Sequence, residues 1–391
     1  MGSSARNDDV LPALLWEARH TCAAAVNARL SADGFDDISD NAWFLLHEVA
    51  LRRAGVSGES RKPAIMDQSA RSMAGALVSR GYLACRINPD NRRQVAFDVT
   101  ERGRAALAAI WESICAERWA GFSFRQGDIV ISTPLRSGTT WMQMICALLV
   151  FGTPDIPASL PDLSPWLDQV ITPRDAVYGR LAAQRHRRIM KTHRPVNEIP
   201  LDPRATYIVV ARQPLDCAVS TYYYFGHDRS NARPMDLVDH IDPGRRPSLP
   251  IREWLVRWID TEPPYPQLTS LPGVIGHLSA AWARRESPNV VLIRYEDLCA
   301  DLESNMRYLA ARLGFKVPDV AWPGLVKAAT FERMRAAAGR LQPIEAARGA
   351  DFFRRGTSGS GREVLAPADL DRYIARLARL APSELLTWLH R

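Results

Sequence analysis

The sequence predicts an α/β protein in which helices flank a parallel sheet, preceded by a smaller and mainly helical domain. Residues 128–152 contain a short apolar strand, a loop of small residues and an apolar helix, an order typical of parallel sheets. Residues 206–211 and 289–293 are continuous apolar runs, as in strands that are buried on both faces. Residues 11–119 instead show helical periodicity around one hairpin signal.

The length and composition favour two domains, 1–120 and 121–391, because 391 residues exceed the usual size of one domain. No apolar run reaches the roughly 18 residues of a membrane span, and the N-terminus lacks a basic region followed by an apolar core. The six cysteines are scattered without a C-x-x-C pair, which is typical of reduced, buried thiols. We therefore expect a soluble cytoplasmic protein with no membrane association.

The net charge of +7 is unevenly distributed along the chain. Residues 1–120 contain 15 basic and 15 acidic residues, so the remaining residues carry the whole excess, 35 basic against 28 acidic. A domain that binds DNA usually carries the basic excess itself. Here the excess belongs to the domain that the loop at 133–140 predicts to bind an anion.

The N-terminal domain contains, in order, predicted helices at 11–30, 41–53 and 67–80, and strands at 82–87 and 94–99. The turn at 88–91 separates the two strands, and Thr100 caps a final helix that runs to about Trp119. The order helix, hairpin, helix predicts a winged helix-turn-helix.

Three stretches of this domain resemble the MarR regulator family: residues 76–83 (ALVSRGYL), 88–93 (NPDNRR) and 99–104 (VTERGR). The resemblance implies that Arg92 or Arg93 enters a DNA minor groove. It also implies that the helix 67–80 lies in the major groove, and that terminal helices pair in a homodimer.

Two observations favour a scaffold or dimerisation role over DNA binding for the same domain. Its charge is balanced, whereas phosphate contacts supply most non-specific affinity for DNA. Residues 55–62, which precede the predicted recognition helix, lack a clear apolar helix to complete the motif.

The loop between strand and helix in residues 128–152 has the composition of an anion site. Backbone N–H groups and the dipole of the following helix point at such a loop, Arg136 adds a fixed positive charge, and Ser137, Thr139 and Thr140 add hydroxyl donors. A Walker motif is excluded because Thr139 stands where the motif requires lysine.

The same loop resembles that of the sulfotransferases that use the sulfate donor PAPS, a P-loop-like fold. The family loop reads P-K-S-G-T-T-W, and residues 135–141 read LRSGTTW, with Arg136 in place of lysine. After a basic run at 185–188, residues 191–195 (KTHRP) resemble the second family motif, K-T-H-x-P. Arg212 and Ser220 have the spacing of eight residues found in the third motif.

Three later segments continue the resemblance in the family's order. Residues 295–298 (YEDL) match a family turn, and residues 330–334 (TFERM) resemble S-F-x-x-M. Residues 352–362 (FFRRGTSGSGR) resemble F-x-R-K-G-x-x-G-D-W-K. Ser360 and Gly361 replace the family's Asp and Trp, which changes the expected packing of this loop more than its phosphate contacts.

The resemblance implies transfer of a sulfuryl group from PAPS to a hydroxyl or amine of a small-molecule acceptor, with PAP as product and no metal. His193 would be the general base, Lys191 would stabilise the sulfuryl oxygens and Arg136 would hold the 5′-phosphate. Arg212 and Ser220 would bind the 3′-phosphate. The full set of implied donor-binding residues is Arg136, Ser137, Gly138, Thr139, Thr140, Trp141, Arg212, Ser220, Tyr295, Phe331, Arg354, Arg355 and Gly356.

Two other functions remain open at this point. The chain could be a DNA-binding regulator whose second domain senses a nucleotide or metabolite, or a degenerate sulfotransferase fold kept for interaction. The retained His193 argues against the second. The aromatic patch at 222–224 is compatible with an apolar or phenolic acceptor, or with a core.

Overall fold

The computed structural model describes residues 26–35, 38, 42, 45, 46, 49, 68–88, 91–169, 172–226, 249–261, 268–342 and 352–391. In the N-terminal part, residues 26–32 are helical, and the later elements are α1 (Gln68–Ser79), β1 (Leu83–Asn88), β2 (Asn91–Val99) and α2 (Glu101–Trp119). The two strands pair antiparallel, as the hairpin signal predicts. Residues 11–25, most of 41–53 and the turn residues 89 and 90 lie outside the described residues.

The start of α2 follows from its sequence. The Thr100 side chain accepts a hydrogen bond from the Gly103 backbone N–H at 3.1 Å, which satisfies one unpaired donor of the first turn. Gly103 lies against the Tyr82 carbonyl so closely that a Cβ there would be 2.3 Å from the oxygen. The helix therefore begins in contact with the residue that precedes the hairpin.

The second part is built on a parallel sheet of four strands in the order β4-β3-β5-β6. These are β3 (Ile129–Ser132), β4 (Ile189–Thr192), β5 (Thr206–Ala211) and β6 (Val290–Arg294). Ile129 pairs with both Ile189 and Thr206, which aligns the carboxyl ends of the three strands β3, β4 and β5. The predicted parallel sheet is therefore confirmed.

Helices cover both faces of this sheet, so its strands contribute to two apolar clusters. Ile131 and Val210 belong to one cluster, and Val130 and Val209 to the other. The helices are α3 (Thr139–Phe151), α4 (Leu160–Leu163), α5 (Arg174–Ala183), α6 (Pro214–Gly226), α7 (Ile251–Asp260), α8 (Leu271–Trp282), α9 (Tyr295–Ala300), α10 (Leu302–Leu313), α11 (Trp322–Ala329), α12 (Phe331–Ala336), α13 (Ala338–Leu341), α14 (Ser360–Val364), α15 (Pro367–Leu380) and α16 (Ser383–His390). A short 3₁₀ turn, Asp319–Ala321, precedes α11.

A proline-rich segment before β4 packs against the edge of the sheet. Trp166 forms a parallel bridge with Lys191 at the edge of β4. The Leu167 N–H donates to the Lys191 carbonyl at 3.1 Å, and the Lys191 N–H donates to the Pro165 carbonyl at 3.0 Å. The segment therefore adds an edge contact beside residues 191–195.

The C-terminal end of α2 packs into the second part of the chain. Trp119 is buried in the same cluster as Val130 and Met190, and the Tyr178 hydroxyl donates to the Arg118 carbonyl at 2.9 Å. Within the described parts of the chain, no helix is long and apolar enough to cross a membrane.

Candidate functional site

A cavity of about 190 Å³ lies at the carboxyl ends of β3, β4 and β5. This is the edge where loops of a parallel sheet bind ligands. Its lining combines cations, hydroxyls and aromatic rings: Leu135, Arg136, Gly138, Thr139, Thr140, Trp141, Trp166, Lys191, His193, Arg212, Ser220, Tyr224, Tyr295, Phe331, Met334, Phe352, Phe353, Arg354, Arg355 and Gly356. Across the described ranges, no cluster of three His, Cys, Asp or Glu side chains could hold a metal ion.

The loop after β3 has a fixed backbone. The Ser137 hydroxyl donates to the Pro134 carbonyl at 2.6 Å, and the Thr133 and Thr139 hydroxyls share a hydrogen bond of 2.7 Å. Gly138 caps α3 with φ 102°, and a Cβ there would lie 2.9 Å from the Tyr295 ring, so only glycine fits. The loop thus presents the N-terminus of α3 to the cavity.

Arg136 is the one non-glycine residue in the described parts of the chain with a positive φ, 60°. Its Nε donates to Ser220 Oγ at 3.1 Å and its Nη2 to the Phe352 carbonyl at 3.2 Å. The guanidinium also lies 4.3 Å from the Tyr224 ring centroid. In this structure the side chain therefore reaches toward the residues assigned to the 3′-phosphate.

His193 lies at the end of β4 and is 5% exposed. Its Nδ1 is 2.9 Å from the Thr133 carbonyl, and because a carbonyl only accepts, Nδ1 carries the proton and Nε2 is left as an acceptor. Burial, followed by the charge of Lys191, lowers the pKa of His193 to about 3. The imidazole is therefore neutral at neutral pH, with Nε2 in its unprotonated, acceptor form.

The Trp166 indole forms an aromatic wall beside His193 and Lys191. Its ring centroid lies 5.0 Å from that of His193, edge to face, and 5.1 Å from Lys191 Nζ. The contact with Lys191 is a cation–π interaction, and the contact with His193 is an edge-to-face ring contact on a side chain that is 5% exposed. Lys191 and His193 thus share one side of the cavity.

Arg212 and Ser220 both line the cavity, and Arg136 lies between them. Arg212 Nη1 donates to the Arg136 carbonyl at 2.9 Å and Nη2 to the Thr357 carbonyl at 3.0 Å. Among the described residues, the buried Arg212 Nε has no hydrogen-bond partner, so a donor is left over for an anionic ligand. Burial, and then the charge of Arg355, lowers the pKa of Arg354, which lies over the Tyr223 ring.

Aromatic rings form the other side of the cavity. Trp141 and Tyr295 contact each other at 5.3 Å, edge to face, and the Trp141 indole donates to the Ala329 carbonyl at 2.8 Å. Burial raises the pKa of Tyr295 to about 12, so its ring is uncharged beneath Arg212. A Cβ at Gly356 would lie 2.3 Å from the Phe331 ring, which explains the glycine.

The segment that departs from the family motif is held by Asp216. Its carboxylate accepts the Gly359 and Gly361 N–H groups, each at 2.8 Å. Gly361 packs on Leu215, where a Cβ would be 2.3 Å from the Leu215 Cβ. Residues 359–361 are therefore anchored on α6 by these two hydrogen bonds and by the close approach of Gly361 to Leu215.

The structure brings every sequence-predicted site residue except Ser137 to the cavity, since the Ser137 hydroxyl faces its own loop. Sequence reasoning missed six lining residues: Leu135, Trp166, Tyr224, Met334, Phe352 and Phe353. Leu135, Met334, Phe352 and Phe353 lie within the quoted motifs and Tyr224 within the aromatic patch. Trp166 had no local signal, because its position depends on a bridge to Lys191.

Comparison with known proteins assigns the family. The family model of the sulfotransferase domain matches residues 126–379. The glycolipid sulfotransferase of Mycobacterium tuberculosis is 37% identical over 306 residues, which cover 72% of this chain and 94% of that protein. The glycolipid sulfotransferase of Mycobacterium bovis is 36% identical over 310 residues, with the same coverage.

Solved structures show the same fold. A mouse sulfotransferase in complex with PAP has a TM-score of 0.54 at 20% identity and covers 70% of this chain and 92% of its own. Retinol dehydratase in complex with androsterone and PAP has a TM-score of 0.53 at 20% identity and covers 67% and 82%. With the family model and the mycobacterial relatives, this likeness shows that the chain belongs to the sulfotransferase family and is a sulfotransferase.

Proposed function

We propose that the protein transfers a sulfuryl group from PAPS to a hydroxyl of an acceptor, in line and without a metal. The observation that carries the proposal is the neutral His193, with Nε2 unprotonated, in a cavity that also contains Lys191 and Arg212. A group whose charge lies on equatorial oxygens needs positioning and positive charge more than covalent chemistry.

His193 is the general base in this proposal. Nε2 accepts the acceptor proton while the acceptor oxygen attacks sulfur and the sulfur–oxygen bond to the 5′-phosphate of the donor breaks. Lys191, which lies beside His193 over the Trp166 ring, stabilises the sulfuryl oxygens. Its charge also helps to keep His193 unprotonated before the reaction.

The donor is held by the residues around the loop and the C-terminal segment. The N-terminus of α3, with Gly138, Thr139 and Thr140, binds the 5′-phosphate. The 3′-phosphate binds Arg212, whose Nε is unsatisfied among the described residues, and Ser220. Arg354, Arg355 and Gly356 complete that subsite, and the adenine lies among Trp141, Phe331 and Tyr295.

Arg136 contributes charge and hydrogen bonds but not acid catalysis. Arginine stays protonated, so it cannot give a proton to the leaving phosphate as lysine can. To hold the 5′-phosphate, the side chain exchanges its bond to Ser220 Oγ for one to the donor.

The acceptor in this proposal combines a hydroxyl with an apolar part. Tyr224, Phe352 and Phe353 give one wall of the cavity aromatic character. The two mycobacterial relatives are named as glycolipid sulfotransferases, which are enzymes for acceptors of that kind. A glycolipid, or a smaller phenol or alcohol with the same polarity, is therefore the acceptor class.

We propose that the chain has two domains, residues 1–120 and a catalytic domain of residues 121–391. The first is a MarR-like winged helix that forms a homodimer. The order α1, β1, β2, α2 supports this. Residues 1–120 contain equal numbers of basic and acidic residues, which favours dimerisation over DNA binding. Action in the cytoplasm, where PAPS is available, is part of the same proposal.

Thermal unfolding with PAP tests the donor site, with AMP as the matched control because it lacks the 3′-phosphate. A ligand at 100 times its dissociation constant adds about 2.7 kcal/mol to stability. We expect PAP to raise the unfolding temperature far more than AMP at equal concentration. An equal effect of the two nucleotides, or none from PAP, would contradict the proposed donor.

A further inference from the structure

A buried carboxylate outside the cavity joins three elements around the catalytic pair. Asp168 is 5% exposed and does not line the cavity. Its Oδ1 accepts the Trp166 indole N–H at 2.6 Å, and its Oδ2 accepts the Trp119 indole N–H at 3.0 Å. Oδ2 also accepts the Thr192 hydroxyl. All three donors are neutral, so the carboxylate acts as a junction of hydrogen bonds.

Two of these donors are in direct contact with the catalytic residues. Trp166 carries the ring that lies against both His193 and Lys191. Thr192 stands between those two residues in the chain, and its Oγ1 accepts the Arg194 N–H at 2.9 Å. Asp168 therefore orients the ring beside His193 and also the backbone on either side of it.

The third donor comes from the end of α2. Trp119 is the last residue of this helix, and the preceding residue, Arg118, donates from Nη2 to the Leu167 and Thr172 carbonyls at 3.4 and 3.0 Å. Glu117 pairs with Arg174 at 2.7 Å. The segment that contains Trp166 and Asp168 is thus held between α2 and β4.

We propose that Asp168 is a positioning residue for sulfuryl transfer, through which the end of α2 fixes the Trp166 wall against His193 and Lys191. It touches neither donor nor acceptor, and it acts by holding Trp166 and Thr192. The inference rests on the proposed function of His193 as base. Because the junction includes Trp119, a change at the end of α2 is transmitted to the catalytic pair.

The titration of His193 reports this role directly. Burial is the largest cause of its low pKa, and the Trp166 ring contributes to that burial. Lys191 on β4 and Arg136 in the loop face it with positive charges that also lower the pKa, His277 on α8 adds to this when it is protonated, and the Thr133 carbonyl raises the pKa. If the Trp166 ring is no longer held in place, water reaches His193 and the pKa of His193 rises toward its ordinary value.

The direction in which the His193 pKa shifts distinguishes a positioning role of Asp168 from the effect of its charge alone. Removal of the negative charge in Asp168→Asn would by itself lower the pKa of a nearby imidazole. A rise in the pKa of His193 would therefore show that the Trp166 ring has moved away from it. Trp119→Phe and Trp166→Phe keep the carboxylate and each remove one indole N–H, so they test the same junction without a change in charge.

The experiment is a ¹⁵N NMR titration of the histidine rings in the full-length protein, with His193→Gln to assign the signal. We expect Asp168→Asn to raise the pKa of His193 by about one unit or more. Trp119→Phe should raise it less. Turnover of PAPS with a phenolic probe, 2-naphthol, should fall by about 10²-fold for Asp168→Asn, while the KM for PAPS stays unchanged.

Asp128→Asn is the matched control. Asp128 is equally buried in the same domain, but it pairs with Arg188 at the opposite end of the strands. It should lower stability without any change in the His193 titration. An unchanged titration in a folded Asp168→Asn, or an equal shift in Asp128→Asn, would overturn the proposal.

Two further outcomes are separated by the same design. If Asp168→Asn does not fold, the test rests on Trp119→Phe and Trp166→Phe. If His193 titrates in both of these variants as it does in the wild type, the proposal is overturned. If wild-type protein shows no stabilisation by PAP, the proposed donor fails. The His193 titration still decides whether Asp168 fixes the wall.

Discussion

Two buried arginines at opposite ends of the parallel sheet, Arg188 and Arg212, have different partners. At the amino ends of β3 and β4, Arg188 donates from Nε to Asp128 Oδ1 at 2.8 Å, and both side chains are buried. At the carboxyl end of β5, the hydrogen bonds of Arg212 go to two backbone carbonyls, and its guanidinium lies over the Tyr295 ring. Both arginines donate to backbone carbonyls and lie over an aromatic ring, but Arg188 is in addition neutralised by a carboxylate.

This difference explains where a polyanion can bind. A buried ion pair uses up its charge within the fold, and removal of one partner leaves the other uncompensated. An arginine that is oriented by carbonyls keeps its charge for a ligand and needs little rearrangement when the ligand arrives. The charge of Arg188 is therefore used within the fold, whereas that of Arg212 is left for a ligand.

The largest effect is expected at the carboxyl end, in His193→Ala. Without a base, turnover of PAPS and an acceptor should fall by about 10² to 10⁴-fold. Stabilisation by PAP should remain near the wild-type value, because PAP lacks the transferred group. Steady-state kinetics and thermal unfolding measure the two quantities, and a parallel loss of both would contradict the assignment of His193 as base.

A paired substitution compares arginines from the two ends directly. Arg212→Ala removes charge-assisted bonds worth about 1.5–3 kcal/mol, which predicts PAP binding about 10- to 100-fold weaker. Binding of AMP should change much less, because AMP lacks the 3′-phosphate. Arg204, which pairs with Asp202 on the surface before β5, is the control.

Calorimetric titration of both variants with PAP and AMP makes this measurement. Arg204→Ala should bind both nucleotides like the wild type. If Arg212→Ala weakened the binding of PAP and AMP equally, the 3′-phosphate would be assigned to the wrong residue. The difference between Arg188 and Arg212 would then not explain where the donor binds.

The same contrast shows how much the sequence could predict. Local patterns predicted the strands and the loop, and the family resemblance named thirteen donor-binding residues, of which twelve line the cavity. Ser137 is the exception: it does not line the cavity, and its hydroxyl donates to the Pro134 carbonyl. A sequence does not reveal which way a loop hydroxyl points.

The parts that were missed depend on contacts between distant segments. Arg188 belongs to a run of basic residues that would ordinarily form a solvated face, yet it is buried against Asp128, 60 residues earlier. Trp166 lies in a proline-rich segment and gains its position from β4 and Asp168. No periodicity or motif contains such pairings, because they arise only when the strands align.

The smallest effect concerns pH and the two histidines near the carboxyl ends. Burial lowers the pKa of His277 to about 3, as it does for His193, but His277 lies behind β3 with its Nε2 3.3 Å from Ser132 Oγ. A histidine with a low pKa in the folded state stays neutral while the unfolded chain takes up a proton. Its contribution to stability is therefore complete above pH 6.5 and is lost as the pH falls from 6.5 toward 3.

His277→Gln isolates one of these contributions. Between pH 7 and pH 5.5, one such histidine lowers the free energy of unfolding by about 1.3 kcal/mol. The substitution should therefore be less destabilising at pH 5.5 than at pH 7 by that amount, as measured by urea unfolding at both values. An identical loss at both pH values would mean that His277 takes up a proton in the folded state. The folded protein would then accept a positive charge on a buried side chain behind β3, as it does on Arg212 in the cavity.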